Sequence, residues 1–149
     1  MAIFKPQKVI CHHSLTKDSG SVSWGAIRRY HTQVMKWAGI GYHCGVELVL
    51  SGGEVNYEIL MGRVWDRSGA HTRGHNSNSL GICFVGNYDI IPPPKKMLIT
   101  GARLIALWLR LFNLSLDDVY SHHHFNIYKS CPGDYFDMEY LKTCIRGKL

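Results

Sequence analysis

Residues 39–55 read GIGYHCGVELVLSGGEV, and how this stretch pairs with itself decides the fold. From His43 to Leu50 the residues are strand formers, with Val46, Leu48 and Leu50 alternating with other side chains. Ser51-Gly52-Gly53 supplies the conformational freedom of a tight reversal, and Glu54–Ile59 returns as the second arm of a hairpin. Further out, Lys8–His12 and Ser79–Val85 are short apolar runs of the kind that fill the buried centre of a sheet. Val119–His123 predicts one more short strand.

Helical patterns lie between these strands. Ser23 is placed to cap a helix running to about Ala38, with Trp24, Ile27, His31, Val34 and Trp37 on one face and Gly39 as its stop. Lys95–Phe112 carries Leu98, Ala102, Ile105, Leu109 and Phe112 at helical spacing, and Asp137–Arg146 predicts a last amphipathic helix. Residues 62–78 are rich in Gly, His, Asn and Ser and read as a loop presenting polar side chains. Strands interleaved with helices predict an α/β class, with one domain over 1–149 built on a central mixed β-sheet flanked by helices.

The chain has 149 residues, 46% of them hydrophobic, enough for a core without disulfide staples. It contains no apolar run of membrane-spanning length. Its opening residues, MAIFKPQKVI, lack the pattern of a secretory signal, so synthesis in the cytoplasm is expected. The net charge of +6 comes from scattered cations such as Lys8, Arg28, Arg29, Lys95 and Lys96. That argues against a dedicated nucleic-acid arm and favours contact with an anionic polymer. Three of the five cysteines sit in apolar runs (VICHHS, YHCGVELVL, LGICFVG) and read as small buried hydrophobes. Cys131, in a polar stretch before Pro132-Gly133, does not.

Histidines gather at three places: His12-His13, His71 with His75, and His122-His123-His124. Strand alternation puts His122 and His124 on one face and His123 on the other, so the triple run cannot supply three ligands to one ion. One histidine from each of two strand ends, with Cys131, makes an N,N,S set suited to zinc with a fourth position left open. Spacing alone leaves open a histidine-rich surface edge instead.

Four segments in this order, VICHHS, GIGYHCGVELVLSGGEV, GAHTRGHNSNSLGICFVGN and SHHHFNIYKSCPG, resemble the zinc N-acetylmuramoyl-L-alanine amidases of type 2. That family shares its fold with peptidoglycan recognition proteins and with the short amidase-type lysozymes (endolysins) of tailed phages. The resemblance implies one Zn2+ held by His12, by the histidine eight positions before the ligand cysteine, here His123, and by Cys131. It implies catalytic roles for Tyr42 and Lys129, and places His71, Thr72 and Asn76 in a loop lining the muropeptide groove. The implied reaction is hydrolysis of the amide joining N-acetylmuramic acid to L-alanine in peptidoglycan.

Other readings are a recognition module that binds muropeptide without cutting it, a cytoplasmic muropeptide-recycling amidase, and a thiol hydrolase with Cys131 as nucleophile. The expected setting is a monomeric endolysin that reaches the wall once the membrane has been opened. Some phage relatives also bind the phage RNA polymerase, a property that these motifs do not address.

Overall fold

The computed structural model describes residues 3–15 and 23–149. Among these, five strands form one sheet: β1 (Lys8–His13), β2 (Cys44–Ser51), β3 (Glu54–Met61), β4 (Ser79–Phe84) and β5 (Val119–Ser121). Their spatial order is β3-β2-β4-β1-β5, with β2 and β3 antiparallel and the other neighbours parallel. The hairpin read from residues 43–59 is present, with Gly52 and Gly53 at positive φ in its turn. β4 is buried along its whole length, and β1 at every residue after Lys8, as central parallel strands require.

Alternation sorts the two faces. Val9 and Cys11 of β1, with Leu80, Ile82 and Phe84 of β4, enter the larger core beneath α2 (Lys95–Leu111) and α4 (Met138–Arg146). α2 carries the expected apolar stripe, including Leu98, Ala102, Ile105 and Leu109. Asp137 caps α4 by accepting a hydrogen bond from Tyr140 N. The opposite face carries His12 of β1 and Cys83 of β4, with Trp24 and Ile27 of α1 (Trp24–Arg29) in the smaller cluster there. Glycines let rings lie on the backbone. A Cβ on Gly45 would fall 2.4 Å from the Trp24 ring, and one on Gly101 2.4 Å from Phe84.

Two boundaries differ from expectation. The helix capped by Ser23 leaves α geometry after Arg29, continues as a single wide turn over Tyr30–Val34, and does not reach Ala38. There the His31 carbonyl accepts from Trp37 N, its Nδ1 accepts from Gly41 N, and Lys36 has φ +58°, so the chain turns back toward the sheet. The last strand stops at Ser121 instead of His123. Ser121 Oγ accepts from His124 N and starts a helical turn, α3 (His122–Phe125).

Phe84 is fully buried against Gly101 and the Phe136 ring, whose centroid is 5.1 Å away. Phe84→Ala should lower unfolding free energy by about 3–5 kcal/mol, read as a shift of the urea midpoint with unchanged slope.

Candidate metal centre

The carboxyl ends of β1 and β5 lie side by side, because Cys11 is paired in register with Ser121. One residue beyond this pair, His12 and His122 bring their rings within 4.6 Å, centroid to centroid. Cys131, carried back by the segment after α3, places Sγ 3.6 Å from His12 Nδ1. One ligand atom each from His12, His122 and Cys131 lie within 4.8 Å of one another. A tetrahedral zinc site built from ordinary bond lengths has N–S edges of about 3.6 Å and N–N edges of about 3.3 Å. The donor set suits zinc, and the edge from His12 to Cys131 already has the length such a site needs.

His123, the expected second ligand, stands outside this group. Its ring turns away from the group, with Nδ1 bonded to the Lys129 carbonyl at 2.7 Å, and its side chain is exposed. The strand alternation that set His123 apart from His122 and His124 does not apply, because residues 122–125 are helical. The backbone N–H of His123 donates to the Cys131 carbonyl, fixing the return segment against α3.

Burial and mutual repulsion hold the cluster neutral. His12, 1% exposed, has its pKa pushed well below the ordinary value by burial and then by the neighbouring His71 and His122. Burial and Lys129 bring His122 down to about 4. Burial, followed by the charge of His43, brings His71 to about 3. Neutral imidazole is the form that binds metal. Burial pushes the Cys131 thiol up to about 12, against the opposing pull of the His13 backbone N–H and Lys129. A thiol so raised is a poor free nucleophile, whereas a bound cation would ionise it.

Tyr42 lines the same groove, its ring centroid 5.2 Å from that of His12. Its hydroxyl is hydrogen-bonded with the Cys83 thiol, and burial with the nearby Cys83 and Cys131 holds its pKa well above the usual tyrosine range. Lys129 is exposed on the groove wall, close enough for its charge to act on His12, His122 and Cys131. Asp89 anchors this wall: Ser130 Oγ donates to one carboxylate oxygen at 2.8 Å and Asp134 N to the other at 3.0 Å.

The loop residues expected at the substrate divide. His71 lines the groove and touches His12. Thr72 and Asn76 do not line it. Asn76 Oδ1 accepts from the backbone N–H groups of His71 and Thr72, and Thr72 is 2% exposed with its hydroxyl against the His12 and His71 rings. Sequence reasoning passed over His31, Trp37 and Asp89, which also line this groove of about 860 Å³. Their signal was weak, since His31 and Trp37 read only as one face of a helix.

The family model for N-acetylmuramoyl-L-alanine amidase matches residues 4–134. The endolysin of Klebsiella phage KP32 is 32% identical over 135 residues, which cover 89% of this chain and 82% of that protein. The N-acetylmuramoyl-L-alanine amidase of Mus musculus is 34% identical over 120 residues, 80% of this chain, but the chain spans only 21% of its length. Among solved structures, peptidoglycan recognition protein-LE in complex with tracheal cytotoxin, a monomeric diaminopimelic acid-type peptidoglycan, superposes with a TM-score of 0.75. It is 26% identical, and the match covers 95% of this chain and 83% of that one.

The lowered pKa values set a pH dependence. In the unfolded chain these histidines take protons near about 6.5. The folded, metal-free chain takes them only at lower pH, near about 4 at His122 and about 3 at His71. Between those limits the unfolded state binds more protons, so stability falls as pH falls. Melting temperatures of metal-free protein should therefore drop steadily from pH 6.5 to pH 4, more steeply than in a His71→Asn variant.

Proposed function

The chain belongs to the N-acetylmuramoyl-L-alanine amidase family, and from that premise we propose that it is a zinc hydrolase cutting the amide between N-acetylmuramic acid and L-alanine of peptidoglycan. The observation that carries this reading is the convergence of His12, His122 and Cys131 within 4.8 Å in an open groove. These three residues would hold the ion. Zinc bound there supplies an activated water at neutral pH and polarisation of the scissile carbonyl.

The chain's own residues do the rest. The Lys129 ammonium donates to the oxygen on which negative charge develops as the carbonyl becomes tetrahedral, an interaction strongest in the transition state. The Tyr42 hydroxyl stays protonated through the neutral range, so it acts as a donor that orients the reacting groups and not as the base. His31, Trp37 and Tyr128 give the groove flat walls for the sugar and stem peptide. Coverage of most of the KP32 endolysin supports an endolysin acting on the bacterial wall, and a net charge of +6 suits an anionic wall polymer. Among the described residues no helix is long and apolar enough to cross a membrane.

Suspensions of purified peptidoglycan should clear with release of alanine amino groups, stop clearing under a chelator and resume with added zinc. Clearing that ignores the chelator would mean a thiol enzyme, and no clearing even with zinc a recognition module. His122→Ala should abolish zinc binding in calorimetry while His123→Ala retains it, and the opposite pattern would reinstate His123 as the ligand. Lys129→Met should lower kcat on the order of 10²–10³-fold with bound zinc unchanged, and an unaltered kcat would remove Lys129 from the chemistry.

A further inference from the structure

Beyond the three candidate ligands, a buried hydrogen-bond chain determines which nitrogen His12 can present. It is read from its far end. Ser79 Oγ has one proton, and its 2.6 Å contact with the His75 carbonyl uses it, because a carbonyl can only accept. Toward His71 Nε2, 3.5 Å away, the same hydroxyl has only lone pairs to offer. His71 Nε2 therefore carries the proton.

A neutral imidazole has one such proton, so His71 Nδ1 is a bare acceptor. It lies 2.9 Å from His12 Nε2, which is accordingly the donor. Thr72 Oγ1 sits between the two rings, 3.0 Å from His71 Nδ1 and 3.3 Å from His12 Nε2, and can donate to the first while accepting from the second. His12 Nδ1, on the Cys131 side, is left as the lone pair.

The seat of the His71 ring is equally constrained. Added Cβ atoms on Gly69 and Gly81 would come within 2.5 Å and 2.6 Å of it, so only glycine at both places leaves room. Asn76 Oδ1 holds the backbone of residues 71 and 72 from below at 2.7 Å and 2.9 Å. The ring meets His12 edge-on, at 86°.

We propose that His71 is a positioning residue which locks His12 in the Nε2–H form, with Nδ1 aimed at the ion, through a one-way hydrogen-bond chain that ends on the His75 carbonyl. The role expected for His71 from the motif was contact with substrate; the role assigned here is exerted through His12. It rests on the zinc reading above. A ligand histidine whose other nitrogen loses its partner loses orientation and basicity, typically 10–100-fold in metal affinity.

The test is titration of the full chain with Co2+ and Zn2+, alongside long-range 1H–15N correlation of the imidazoles in the zinc-loaded protein. His71→Leu should bind both ions 10–100-fold more weakly than wild type. His71→Asn, whose Oδ1 takes the place of Nδ1 as acceptor, should recover most of that loss. The spectra of the wild type should show the proton on Nε2 of both His12 and His71, a readout that needs no variant to fold. Gly81→Ala, which displaces the His71 ring and leaves every polar group in place, should weaken binding in the same direction. Equal affinity in wild type and His71→Leu, or a proton found on His12 Nδ1, overturns the positioning role alone. A wild type that binds neither ion overturns the zinc reading, and this role with it.

Discussion

Burying an imidazole is costly unless its nitrogens find partners, and much of this structure follows from meeting that demand at several rings. His43, fully buried, accepts from Gly81 N through Nδ1 and donates to the Arg67 carbonyl through Nε2. His31 accepts from Gly41 N and in doing so bends the chain out of its first helix. His13 accepts from Tyr88 N through Nδ1, although its buried Nε2 has no partner. Each ring ties a loop to the sheet through backbone groups. His12 is the exception, since its two nitrogens face another imidazole and a thiol. With His122 beside it, that ring is positioned to hold an ion.

Neighbouring residues divide the remaining work by which face of the sheet they occupy. Odd-numbered residues of β1 and even-numbered residues of β4 build the hydrophobic layer under α2 and α4. The alternate set lies on the face that carries His12, one of the residues lining the groove. There Gly81 leaves room for the His71 ring, and Cys83 belongs to the smaller cluster against which Tyr42 packs. The same alternation that stabilises the domain therefore clears space for chemistry on its other side.

Much of this was legible beforehand. The hairpin, the two central strands and the long helix each announce themselves through periodicity and glycine placement, which are local signals. The meeting of His12 with Cys131 was also legible, through the family resemblance of the motifs that hold them. His122 was not. Three consecutive histidines read at period two divide one way, but Ser121 caps a helical turn and rotates His122 into the group while His123 swings out. The Ser-before-turn signal was in the sequence, yet it competed with a strand reading that only tertiary pairing could decide. The early end of the first helix was illegible for a similar reason: the bond that ends it joins His31 to Gly41, ten residues on, outside any helical period. Thr72 and Asn76 lay in the right loop, but which side chains of a loop face inward depends on backbone hydrogen bonds that spacing does not encode.

His12 and Cys131 are 119 positions apart in the chain. An ion shared between them, as proposed, would cross-link the first strand to the segment beyond the last one, closing a loop that spans most of the molecule. Clips over such long loops remove the most entropy from the unfolded chain, and binding that requires a formed site adds its free energy to folding. Release of such an ion and opening of the sheet's β1–β5 edge would then be linked events. The chain's lifetime in a protease-rich environment should track the availability of metal as closely as its hydrolytic rate does.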